Sequence, residues 1–201
     1  MIAQVSSHRL TPEEYLALEA ESSIKHEYID GVAYAMSGAT DVHNTISLNA
    51  AFALRTHLRG SDCNIYMSDV KAQLSSKSNY YYPDVMVTCD PTDLKDPFSK
   101  RFPKLIIEVL SPSTEGFDRG DKFVDYQSFK SLEEYVLINT RHKRVEVFRR
   151  TEGALWLLEI YQDEEAMVDF KSVGLSISLA DLYLDARIKS AEIEENSHSI
   201  S

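Results

Sequence analysis

Two apolar runs, residues 80–88 and 105–110, are each short enough for a strand and each carries one carboxylate. Asp84 follows Pro83 near the middle of the first, and Glu108 interrupts Leu105-Ile106-Ile107 and Val109-Leu110 in the second. An otherwise apolar run of this kind reads as a central strand buried on both faces. Elsewhere the period changes. Thr11-Pro12-Glu13-Glu14 starts a short helix, with a capping hydroxyl, proline at the first helical position and acids in the first turn. Residues 26–29 and 32–36 flank Asp30-Gly31 and predict a β-hairpin. Ile46, Asn49, Ala50, Ala53, Leu54 and Leu58 recur at threes and fours, so residues 41–59 predict a helix ended by Gly60.

Residues 63–67 and 70–74 read as further strands. Residues 89–102, with two prolines and many charges, read as a surface loop. A helix is expected from Thr114 to about Lys130, then strands over 132–139, 144–150 and 154–161, and a short helix within 173–184. The sum is one α/β (α+β) domain over residues 11–186, a mixed sheet of six to eight strands flanked by helices. Residues 1–10 read as a loose leader and 187–201 as a polar, frayed tail.

Length and composition agree with one globular domain: 201 residues, 43% of them hydrophobic. No run approaches the roughly 20 apolar residues of a membrane span. The first residues lack a signal-peptide core, so the expected compartment is the cytoplasm and no membrane partner is expected. In that compartment Cys63 and Cys89 are expected to be two small buried thiols, with a single disulfide between them as the alternative. The net charge of -11 argues against a long polyanion as partner, although the field at a cleft and any bound metal decide locally.

The chemistry lies in the carboxylates. An aspartate and a glutamate on neighbouring strands can share one hard cation, leaving positions for water and a substrate phosphate. A lysine completes such a site. Asp118, Lys122 and Tyr126 recur at i, i+4 and i+8 and share a helix face, which makes Lys122 the first candidate; Lys71 is the second. A buried, unpartnered carboxylate is costly, so Glu108 in its apolar run needs a cation or donors.

Pro83-Asp84 followed by Glu108 resembles the PD-(D/E)XK nuclease superfamily. More narrowly, the chain is similar to the Uma-type family of restriction-endonuclease-like proteins over roughly residues 10–185. The resemblance rests on His26-Glu27-Tyr28-Ile29-Asp30-Gly31, on Met36-Ser37-Gly38-Ala39-Thr40 with His43, on Tyr82-Pro83-Asp84-Val85, on residues 107–114 (IEVLSPST), and on Asp118-Arg119 with Asp121-Lys122 and Tyr126. It implies a restriction-endonuclease-like mixed sheet and a hydrolase cutting phosphodiester bonds of DNA with Mg²⁺ (or Mn²⁺). It implies Asp84 and Glu108 as metal ligands, Lys122 as catalytic lysine and Glu27 as a supporting acid. His43 and Tyr126 are further supporting candidates. The departure from the superfamily pattern is Leu110, where the lysine two residues after the glutamate is missing. Cutting both strands of a duplex with one site per chain would make a homodimer plausible. Two alternatives stand beside this reading: a nuclease-fold binding or regulatory module with little turnover, and a hydrolase of small nucleotides. Basic residues 141–150 and Lys95, Lys100, Arg101 and Lys104 are candidates for tracking a phosphate backbone.

Overall fold

The computed structural model describes residues 9–75 and 78–188, together with the backbone of residues 3–4. In chain order the elements are β1 (Ala3–Gln4), α1 (Pro12–Glu21), β2 (His26–Ile29), β3 (Val32–Ala35), α2 (Asp41–His57), β4 (Asn64–Met67), β5 (Lys71–Gln73), β6 (Tyr80–Tyr81) and β7 (Val85–Thr88). They continue with β8 (Ser99–Lys100), β9 (Pro103–Leu110), α3 (Glu115–Arg119), α4 (Asp121–Tyr126), β10 (Glu134–Asn139), β11 (Val145–Arg150), β12 (Trp156–Tyr161), β13 (Met167–Phe170), β14 (Leu175–Ser178) and α5 (Leu179–Leu182). The expected single sheet is in fact two six-stranded sheets and a hairpin. The core sheet has the order β12-β11-β10-β9-β7-β4, and a smaller sheet of short strands runs β1-β3-β2-β6-β5-β8. In the core sheet β9 and β10 run parallel and every other pair antiparallel.

The two-residue period of β9 explains the layers. Leu105, Ile107 and Val109 turn to one face, where Ile46, Ala50 and Leu54 of α2 and the β13–β14 hairpin with α5 cover them. Ile106 and Leu110 turn to the other, against Tyr81, Tyr126 and Tyr135. Glu108 belongs by period to that second face. The run at 80–88 is not one strand. Pro83 has no amide to give a ladder, and at this point the chain crosses from β6 in the small sheet to β7 in the core sheet.

Four other expectations change. Ala3–Gln4 of the supposed leader pairs with β3, so that segment is an edge strand. The helix expected from Thr114 to Lys130 ends early and is broken at Gly120, where an added Cβ would lie 3.1 Å from the Gly116 carbonyl oxygen. Cys63 and Cys89 are bonded to each other and are not free thiols: the β4–β7 register pairs Asn64 with Thr88, and one further step sets the cysteines opposite, 4.0 Å apart at Cα. The tail beyond Ile188 lies outside the described residues.

Residues 89–102 are not a plain surface loop either. Asp93 is buried and accepts bonds from Thr88 Oγ1 (2.5 Å) and from the amides of Arg101 (2.8 Å) and Phe102 (3.1 Å). Buried Lys100 donates to the Asp93 and Asp96 carbonyls. Asp93→Ala leaves the Arg101 and Phe102 amides without their acceptor, although the Thr88 hydroxyl keeps the Phe102 carbonyl, and is expected to cost about 2–3 kcal/mol. Urea denaturation checks this; an unchanged midpoint would mean the loop is held by other contacts. Among the described residues no helix is long and apolar enough to cross a membrane.

Candidate active site

The register of the core sheet sets the two carboxylates side by side. Val85 lies opposite Ile107 and Met86 opposite Ile106, so one step back Asp84 lies opposite Glu108. The Asp84 amide approaches Glu108 Oε2 at 3.4 Å, and the Val109 amide donates to Asp84 Oδ2 at 2.7 Å. From the other direction comes the first turn of α2, capped by Thr40, and its His43 Nε2 stands 3.2 Å from Asp84 Oδ2. The N-terminal end of this 17-residue helix favours negative charge nearby.

Lys122 comes from α4. Its Nζ lies 3.0 Å from Glu108 Oε1, 3.1 Å from Glu27 Oε1 and 3.4 Å from Asp118 Oδ1. The side chains of all four are at most 6% exposed. The Tyr126 hydroxyl donates to Glu108 Oε1 at 3.0 Å, and the ring of Tyr81 lies 5.6 Å from the ammonium. The helix break at Gly120 does not disturb the i, i+4, i+8 convergence of Asp118, Lys122 and Tyr126. Beyond the break, Phe123 of α4 stacks on Tyr135, at 5.0 Å between centroids.

The electrostatics follow from burial and charge count. Burial pushes the Glu108 carboxyl well above the usual carboxylate range; Lys122 opposes this, and Asp84, Asp118 and Glu27 add to it. Burial alone would lower the Lys122 ammonium, but Glu108 and Glu27, with Tyr126 and Asp118, outweigh it and hold the amine charged. His43 is likewise held up, because bonding to Asp84 and the Val109 carbonyl outweighs the burial that would lower it. Three carboxylates, Glu27, Glu108 and Asp118, thus converge on one ammonium, while Asp84 stands beside Glu108 and faces His43. The surroundings form a cleft of about 720 Å³ whose walls include Glu27, His43, Asp84, Glu108, Asp118 and Lys122.

Glu27 comes from β2 of the small sheet. Its carboxylate is held by the Tyr82 amide (3.3 Å) and turned to Lys122. Among the described residues no three acidic or histidine side chains converge as a ready ligand set. Lys71 is not brought to Glu108: its ammonium donates to the Tyr82 hydroxyl at 3.3 Å, and Glu19 accepts from that hydroxyl at 2.7 Å. The basic stretch 141–150 also divides. Arg149 is buried against Glu134 at 2.6 Å, and Arg150 is spent on the carbonyls of Gln127, Phe129 and Leu132. Arg141, Lys143 and Arg144 keep more exposure and pair with Glu115, Glu164 and Glu146. Sequence reading missed the backbone parts: the Val109 and Tyr82 amides fix Asp84 and Glu27 but leave no mark in residue identity.

The fold is that of a restriction-endonuclease-like protein. It superposes on the crystal structure of a putative nuclease belonging to DUF820 from Anabaena variabilis ATCC 29413, with a TM-score of 0.72 at 18% identity, covering 87% of this chain and 97% of that one. Residues 12–180 match the family model Uma2, described as "Putative restriction endonuclease", and the chain belongs to that family. Two relatives from Synechocystis sp. (strain ATCC 27184 / PCC 6803 / Kazusa) agree in extent. Uncharacterized protein slr1290 is 41% identical over 175 residues, 87% of this chain and 92% of its own. Uncharacterized protein sll1609 is 33% identical over 172 residues, 85% of this chain and 97% of its own.

Proposed function

We propose that the cleft hydrolyses phosphodiester bonds of DNA with the help of a divalent cation, as an endonuclease. The observation that carries this reading is the opposed pair Asp84 and Glu108, with the Lys122 ammonium 3.0 Å from the glutamate. The donors fit a hard cation. Among the described residues Asp84 Oδ1 has no hydrogen-bond partner, and Glu108 Oε2 has only the long contact from the Asp84 amide. Asp84 and Glu108 would hold Mg²⁺ or Mn²⁺. Such an ion supplies Lewis acidity at the phosphate and lowers the pKa of a bound water.

The chain's own residues do the rest. Lys122 stays protonated and opposes, by its charge, the negative charge that develops on the phosphate, while its three N–H bonds stay on Glu108, Glu27 and Asp118. Glu27 and Asp118 hold that amine in place. Tyr126 orients Glu108 by its hydroxyl. The Val109 amide fixes the Asp84 rotamer.

The test is cleavage of plasmid and of single-stranded DNA in Mg²⁺ or Mn²⁺, beside a panel of small nucleotides. Wild-type protein is expected to cut DNA only with metal, and Asp84→Ala to lose about 10³-fold or more, in keeping with loss of a charge-stabilising group at the reacting centre. Equal cleavage by the variant would assign the activity to a contaminant. Turnover of nucleotides without cleavage of DNA would favour the small-substrate reading, which the net charge of -11 suits.

A further inference from the structure

β12 is an edge strand with the wrong surface for an edge. It pairs with β11 over all six of its residues, and its other side has no strand partner among the described residues. Such an edge presents unpaired amides and carbonyls, and isolated proteins commonly blunt it with charge, proline or a bulge. Here residues 155–161 contain no proline and one charge, Glu159. Leu155 is 71% exposed, Leu157 52%, Leu158 42% and Ile160 45%. Alternation puts Leu155 and Leu157 on one face and Leu158 and Ile160 on the other, so both faces of the strand are apolar.

We propose that β12 is a dimer seam, where two copies of this chain pair their β12 strands antiparallel about a two-fold axis through Leu158. Three observations favour a second copy as occupant. The open side is backbone, which a strand satisfies and a helix does not. The chain carries a net charge of -11, so two copies repel over most of their surface. At β12 the single charge is matched within the chain, because Glu159 is paired with Arg149 and lies 3.4 Å from Lys171. Finally, a two-fold axis normal to the sheet keeps each face on its own side. Centred on Leu158, it sets Leu158 against the partner's Leu158 and Trp156 against the partner's Ile160. On the opposite face Leu155 meets the partner's Tyr161 and Leu157 meets the partner's Glu159. No like charges face each other, whereas a register one pair further along would oppose the two Glu159 carboxylates. The result is one continuous twelve-stranded sheet, an isologous contact of the commonest symmetry.

A strand edge is small beside the roughly 800 Å² per partner of a standard interface, so dissociation is expected on the order of 10 µM. Light scattering of the whole chain across concentration should show the mass rising from 22.8 kDa toward twice that value. Leu158→Lys, with circular dichroism matching wild type, should hold it at the monomer. Position 158 should also join to itself. Opposed residues lie about 4.5–5.5 Å apart at Cα, within disulfide reach, and the native cysteines are bonded to each other. Under mild oxidation Leu158→Cys should form covalent dimer at least about ten times faster than Val124→Cys, an exposed control on α4, in line with the effective-concentration gain of a docked pair. A wild-type chain that stays at 22.8 kDa well above that concentration overturns the proposal. So does crosslinking no faster at 158 than at 124, since another chain or segment would then cover the edge. Neither readout depends on cleavage of any substrate.

Discussion

Glu108→Gln is expected to abolish metal-dependent cleavage and, at the same time, to make the protein more stable at neutral pH. The amide keeps the shape of the glutamate and its bond from Tyr126, but it neither ionises nor serves as an anionic ligand. Cleavage should fall by about 10³-fold or more, as when a charge-stabilising group is removed from a reacting centre. The stability gain follows from the buried charge. The folded state holds the Glu108 carboxyl well above its ordinary range, chiefly because burial penalises the anion. A carboxyl raised on folding contributes its stability below the unfolded pKa and loses it as pH rises through the folded one. Wild-type protein should therefore lose stability between pH 5 and pH 8 in metal-free buffer, and the variant should lose less. At pH 8 the variant should be the more stable by about 1 kcal/mol, the scale of a tenfold change in proton affinity, since the Lys122 amine keeps Glu27 and Asp118 as partners. Urea denaturation at the two pH values decides it. A variant less stable than wild type at pH 8 would mean that the Glu108–Lys122 attraction exceeds the cost of burial.

Lys122→Met should act in the opposite sense and by more. It removes the one ammonium that Glu27, Glu108 and Asp118 share and leaves three buried carboxylates facing one another. Removing one partner of a buried charge set costs about 3–5 kcal/mol, a large part of the 5–15 kcal/mol typical of a whole domain. In wild type the amine is held up by these acids, so its contribution is constant from pH 5 to pH 8 and fades only in strong alkali. The variant's acids can instead relieve their repulsion by taking protons. The gap between variant and wild type should accordingly narrow as pH falls from 8 to 5. A loss under about 1 kcal/mol at pH 8, the range of exposed pairs, would show that the lysine is solvated and not the hub of the cluster.

The central pair was legible because its violations of pattern are large. A carboxylate inside Leu-Ile-Ile-Glu-Val-Leu has few structural excuses, and a Pro-Asp step ahead of an apolar run marks a strand start. Asp118, Lys122 and Tyr126 could be grouped from their spacing alone, although the helix that carries them is broken. The small sheet was legible only as pieces: its β2–β3 hairpin, β5 and β6 fall in predicted strands, but not their pairing into a second sheet, and β8, two residues long, is too short for a period to emerge. Asp93 and Lys100 read as loop charges, since burial satisfied by backbone carbonyls and amides leaves no trace in composition. The Cys63–Cys89 bond needed the β4–β7 register, which the sequence does not state. Glu27 and Lys122 were each visible as candidates, but the contact between them, across more than ninety residues, was not.

Glu27 reaches the cleft from one sheet, Glu108 from the other, and Lys122 from a helix lying over the second. Their meeting point acts as a latch between separately folded layers. Any excursion that swings the small sheet aside must first unhook Glu27 from the amine. On the reading proposed above, the reaction would need that latch closed, because the ammonium is placed only when both sheets are docked.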